Sequence, residues 1–527
     1  MASLEQRIAV ARGEAPADLV LRGARLVNVL SGEIHPADVA IWDGYVVGLG
    51  EGYEGQEELH LEGRHLCPGF IDSHLHLEST MLQVGEFARA AVPRGTAAVV
   101  VDPHEIANVA GLEGIRYILE SSEGAALTVY VMLPSCVPAT HMESAGAALL
   151  AEDLAPLLAH PRVLGIAEMM NFPGVLFRAP EVLAKIALAG SRPLDGHAPG
   201  LTGRDLNAYI AAGIRSDHEC TSLEEARDKL RRGMWLMLRE GTTEHNLRDL
   251  LPLVTPLNAH RCLLASDDRH PDDLMDNGHL DHSLRLAMAA GADPIWAIGM
   301  ATLNAAQYFG LRERGAVAPG YRADLVVLDD LPQVHVEMVF KDGRLVAQEG
   351  QLLHTAPQPR SALLGQAMRI AWEKVDFALP AQGEWARVIQ VLPDQILTRS
   401  LVERVKVEAG LAVADPARDL AKLAVIERHH ATGQMALGFA RGFGLQRGAL
   451  ASTVGHDSHN LVVLGTNDAD MRLAARRLAA LGGGFVAVCH GQVLADLPLS
   501  IGGLISDQPL EAVRAGMDRL LAAAREG

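Results

Sequence analysis

At 527 residues the chain is long enough for about three domains at roughly 150 residues each. Its 65 Asp+Glu against 46 Lys+Arg give a formal net charge of −19, which argues against a general binder of nucleic acid or of an anionic membrane surface. With 49% hydrophobic and only 21% charged residues, the composition is that of large packed cores and excludes a disordered chain.

The first twenty residues carry no apolar stretch of the secretory type, and no run of 18 apolar residues occurs anywhere, so neither a signal peptide nor a transmembrane helix is expected. Residues 1–66 read as short strands broken by Gly-containing turns (DLVLRGARLVNV, DVAIWDGYVVGLG, ELHLEGRHL). The same texture returns in 310–360 (RADLVVLDD, HVEMVFKDGRLVAQ). Neither segment alone makes a convincing core, so the two are predicted to pair into one small β-sandwich domain.

Between them, 67–309 alternates short apolar runs with helix-like stretches. The runs fall at 67–72, 97–102, 127–133, 163–169, 192–197, 213–218, 234–240 and 261–267. Fully apolar runs separated by helices predict parallel strands with crossover connections. Eight such units in a segment close to the ~250 residues of a (β/α)8 barrel predict an α/β, TIM-like barrel. After a Pro-containing boundary in 352–362, residues 361–527 read as a third, α/β domain. The five cysteines (Cys67, Cys136, Cys220, Cys262, Cys489) form no C-x-x-C pair. No zinc ribbon or disulfide framework is expected, and a reducing cytoplasm suits them.

The chemistry concentrates at the ends of the apolar runs. In His74-Leu75-His76 the two imidazoles stand two residues apart, on one face of an extended segment, and can chelate one metal. Glu168, His197, His218 and Asp267 close the fourth, fifth, sixth and eighth runs. Any one of these is an ordinary polar loop residue. Together, converging on the C-terminal mouth of a barrel, three or four His and two carboxylates suit a pair of divalent first-row metal ions.

PGFIDSHLHLEST followed by strand-end Glu168, His197, His218 and Asp267 resembles the amidohydrolase superfamily of metal-dependent hydrolases, and the flanking β segments match its accessory domain. Within it the chain is similar to the bacterial adenine deaminases, through FARAAVPRGTAAVVVDPHEIANVAG, GIAEMMNFPGV, LDGHAPGLTGRDLNAYIAAGI, LASDDRHP and GHDSHNLVVLGTND. The resemblance covers nearly the whole chain, including the third domain. It implies a cytoplasmic enzyme of purine salvage, a hydrolase of cyclic-amidine C–N bonds that converts adenine to hypoxanthine and ammonia. Two divalent metals per subunit are implied, Mn(II) or Fe(II) ahead of Zn(II). A homodimer would be ordinary for a soluble enzyme. His74 and His76 would hold one metal and His197 and His218 the other, with Glu168 between them. Asp267 would touch a metal and move the proton. Many members bridge their metals with a carbamylated lysine on strand four. The first lysine here is Lys185, outside that strand, and the resemblance implies Glu168 in its place.

Other polar residues beside these segments have two readings each. Asp102, His104 and Glu105 of DPHE support the site or an additional metal, or fix a loop. Glu78, Glu219 and Asp268 contact substrate or hold their loops. His456, Asp457 and His459 of GHDSHN close over the barrel mouth, or cap a turn of the third domain. No residue is identified as the proton donor to the purine ring. The zinc deaminase pattern H-x-E with P-C-x-x-C is absent, as are H-E-x-x-H, a P-loop, a strand–helix G-x-G-x-x-G and a G-x-S-x-G elbow. The competing expectations are another amidohydrolase reaction, such as amino-sugar deacetylation or cyclic-amide hydrolysis, and a non-catalytic metal-binding scaffold.

Overall fold

The structure is a computed structural model that describes residues 4–356, 361–365, 367–392 and 398–526. The boundary expected in 352–362 runs through 357–360, outside the described residues.

Eight strands form the barrel: Phe70–Leu75, Thr96–Val101, Thr128–Leu133, Val163–Met169, Leu194–Gly196, Ser216–Asp217, Trp235–Arg239 and Cys262–Ala265. The first five pair in parallel in sequence order, and so do the last three. Arg215 N donates to Leu194 O across the fifth and sixth strands, and Asp267 N to His74 O closes the eighth onto the first. Period-2 alternation sorts the side chains. Val99, Val101, Leu236, Leu238 and Leu264 pack outward beneath the helices. Ala98, Val100, Met237, Leu263 and Ala265 fill the interior. The same register, carried two residues on, turns Asp102, Arg239 and Asp267 into the mouth.

The first strand begins later than its apolar run at 67–72. His65–Pro68 is taken instead by an antiparallel pairing with Leu325–Leu328, which joins the two flanking segments into one nine-stranded sheet. Gly69 makes the crossing between sheet and barrel. A Cβ there would stand 2.5 Å from the Ala97 Cβ. The long strand Ala17–Asn28 is irregular between Leu21 and Ala24. Its first half pairs with Gly55–His60 and its second half with His65–Leu66, around a core of Leu21, Leu26, Ile41, Leu66, Leu325 and Phe340.

Residues beyond 380 form an eight-stranded sheet covered by helices Asp468–Leu481 and Leu510–Glu526. The first helix is capped by Asn467, whose side chain accepts from Asp470 N at 2.9 Å, and ends at Gly482 with φ 83°. Its Met471, Ala474, Ala475 and Leu478 make a helical-period face against the sheet. The second helix docks on the barrel. Arg514 Nη1 lies 2.7 Å from Asp276, and Leu510 N donates to Glu86 at 2.8 Å.

Candidate metal centre

Six side chains meet at the C-terminal mouth of the barrel. His74 Nε2 and His76 Nε2 stand 3.2 Å apart. Asp267 Oδ1 lies 3.4 Å and 3.2 Å from them, and Glu168 Oε1 lies 3.8 Å and 3.3 Å away. On the other side, Glu168 Oε2 is 2.6 Å from His197 Nδ1 and 3.3 Å from His218 Nε2. The two oxygens of one carboxylate thus face two separate imidazole pairs. Two imidazole nitrogens turned toward each other, with two carboxylate oxygens beside them, form the packing of ligands around a cation, and imidazole with carboxylate suits divalent first-row metals. Electrostatics agree. Burial pushes the Glu168 carboxyl up, but His197 and His218 more than reverse this and hold it well below the usual carboxylate range.

The remaining predicted residues sort by their contacts. His104 Nδ1 is 3.0 Å from the Asp102 carboxylate and 3.5 Å from Glu168 Oε1, inside the site. The Asp102 backbone oxygen lies 3.0 Å from His76 Nδ1 and fixes that ring. Glu219 Oε1 stands 3.5 Å from His197 and 3.4 Å from His218. Glu78 accepts from Ile106 N at 3.0 Å and holds the segment after the second strand, away from the cavity wall. Asp268 lines the cavity and accepts from Ser79 Oγ. The 380s-to-C-terminus sheet reaches across. His456 Nδ1 is 2.6 Å from Glu105, Asp457 is 3.5 Å from His104 Nε2, and the buried His459 is 3.7 Å from Glu105. His456 and Asp457 therefore form part of the roof over the barrel mouth.

Sequence reasoning passed over Arg239. It is buried at the end of the seventh strand, and its Nη1 lies 2.5 Å from Glu219 and 2.7 Å from Asp267. It stands next to last in the run MWLMLRE, before Glu240, so a rule that reads the final polar residue of each run points past it. Glu244, Thr243, His270, Met81, Met170 and Val454 were also missed. They sit on connecting loops and carry no metal-ligand signature. Together these groups enclose a cavity of about 350 Å³.

A buried lysine braces the second imidazole pair. Lys229 Nζ donates to Ala198 O at 2.7 Å, directly after His197, and to Asp217 at 2.9 Å, directly before His218. Lys229→Met is expected to lower stability by about 3–5 kcal/mol, because Asp217 stays buried without its cation. Urea denaturation checks this, and Lys229→Met combined with Asp217→Asn should recover part of the loss.

Residues 65–346 match the amidohydrolase family, and residues 395–527 match the adenine deaminase C-terminal domain. The chain is 49% identical over 524 residues to an adenine deaminase of Desulfatibacillum aliphaticivorans, covering 99% of this chain and 92% of that one. It is 52% identical over 514 residues to an adenine deaminase of Oleidesulfovibrio alaskensis, covering 97% and 89%.

Proposed function

The chain belongs to the amidohydrolase family, in its adenine deaminase branch, and from that premise we propose that it hydrolyses adenine to hypoxanthine and ammonia. The observation that carries this reading beyond kinship is Glu168, set between His74/His76 and His197/His218 in the wall of the cavity at the barrel mouth. That arrangement supports a pair of divalent metals, Mn(II) or Fe(II) ahead of Zn(II). Such a pair supplies an activated water at neutral pH when bound.

The chain's own groups do the rest. Asp267 accepts the proton of the attacking water and hands it to the departing amine. Arg239, shared between Glu219 and Asp267, holds both carboxylates in place. Met81, Met170 and Val454 supply the apolar part of a wall that suits a flat heterocycle. At about 350 Å³ the cavity lies at the small end of ligand sites and accommodates a purine base. Among the described residues lining it, Arg239 is the one guanidinium or ammonium group, and it is already engaged. A phosphorylated amino sugar would go unmatched there, which disfavours the deacetylase reading.

We extend the proposal to the division 1–66 with 310–360, 67–309 and 361–527, to a cytoplasmic enzyme and to a homodimer. The test is ammonia release by the full chain reconstituted with Mn(II), Fe(II) or Zn(II), with adenine beside adenosine, guanine and cytosine. Selective turnover of adenine is the expected result. Two bound metals with no turnover of any base, but hydrolysis of a cyclic amide or N-acetyl sugar, would overturn it.

A further inference from the structure

One cavity-lining group has no role so far. Glu244 sits on the tight turn after the seventh strand, where Gly241 N donates to Glu244 O at 3.1 Å and Glu240 bridges to His245. The residue is 7% exposed, yet it lines the cavity. Thr243 Oγ1 donates to its Oε1, while Oε2 is buried with no hydrogen-bond partner among the described residues. A Cβ at Gly241 would stand 2.9 Å from Oε2, so the turn keeps room for this carboxyl. A buried carboxyl oxygen without a partner is costly, and a ligand in the cavity can supply the missing one. Burial, then the neighbouring Asp268 carboxylate, pushes the group up to about 7, so near neutrality it is partly the neutral acid and can donate.

We propose that Glu244 recognises the purine through its ring nitrogen next to C6 and protonates that nitrogen during the reaction. This rests on the deaminase reading above. As oxygen adds to C6, the C6–N bond within the ring gives up its π pair, and that nitrogen takes the Glu244 proton. The proton held by Asp267 goes to the exocyclic amine, the bond from C6 to that amine breaks, and ammonia leaves. The remaining hydroxyl proton on the C6 oxygen returns through solvent to Glu244. Both hydrogens of the water are then placed, one on ammonia and one replacing that given to the ring.

The experiment compares wild type, Glu244→Gln, Glu244→Asp and Glu244→Leu, each metal-loaded and full length, by kcat and KM for adenine across pH. Calorimetry with hypoxanthine and metal content accompany the kinetics. Glu244→Gln keeps a donor but holds no transferable proton. Its kcat should fall about 10²–10⁴-fold, with KM and hypoxanthine affinity nearly unchanged. Glu244→Asp should recover part of kcat, and Glu244→Leu should also weaken hypoxanthine binding. Asp267, Asp268 and Arg239 face the group from the two adjoining strand ends, and Glu219, His270, His456 and Asp457 line the same cavity. Wild-type kcat should drop as pH rises through about 7, the acid being the working form, and Glu244→Gln should lose that limb. An active wild type with an equally active Glu244→Gln, or an Asp variant no better than Gln, overturns the proposal while the deaminase reading stands. A wild type inert toward adenine overturns both.

Discussion

Glu168→Gln is expected to bind fewer than two metal ions per chain and to lose nearly all adenine turnover. The carboxylate presents Oε1 toward His76 at 3.3 Å and His104 at 3.5 Å, and Oε2 toward His197 at 2.6 Å and His218 at 3.3 Å. An amide offers one acceptor oxygen. Its NH2 end is a donor and cannot ligate, so one of the two imidazole pairs loses its shared oxygen, and the site loses a negative charge. Removing a group that only supports a metal ligand costs about 10–100-fold in affinity or activity, and a ligand shared by both pairs should cost more. Metal analysis after gel filtration, with kcat/KM for adenine, measures it. Two tightly held metals and undiminished kcat/KM would show that Glu168 is not the bridge.

Asp267→Asn should keep its metals and its KM while kcat falls about 10²–10⁴-fold, the range of a lost general acid–base group. Burial pushes the Asp267 carboxyl up, but the Arg239 guanidinium, with His74 and His76, holds it well below the usual range. The group is therefore held as a carboxylate, the form a proton acceptor needs. Asn is the informative substitution because residue 267 has φ 55°, a left-handed backbone that Asn tolerates better than Ala does. Its single acceptor oxygen can keep the place of Oδ1 beside His74 and His76, at the cost of the contact from Arg239 to Oδ2 at 2.7 Å. A loss confined to kcat identifies proton transfer. A loss of bound metal with unchanged kcat per metal site would make Asp267 a ligand alone.

The strand-end residues were legible because their signal is local. In an extended segment, residues two apart share a face. His74-Leu75-His76 therefore declares its chelating pair without any knowledge of partners, and the runs that end on Glu168, His197, His218 and Asp267 show by their last polar residue what they offer the barrel mouth. Eight runs with helices between them likewise determine a parallel barrel, since such strands need crossover connections.

Non-local pairing settled the rest. The first barrel strand starts at Phe70 because Leu325–Leu328, some 260 residues away, claims His65–Pro68, and no periodicity within 65–75 records that competition. DPHE and GHDSHN each read equally well as loop chemistry. Only the docking of the C-terminal sheet on the barrel puts His456 2.6 Å from Glu105 and Asp457 3.5 Å from His104. Arg239 and Glu244 depend on tertiary packing in the same way. The guanidinium matters because two carboxylates from neighbouring strands converge on it, and the Glu244 carboxyl because a turn buries it at a cavity wall beside Asp268. A residue's type and spacing are written along the chain. Its desolvation and its charged neighbours arise only when distant segments exclude water together.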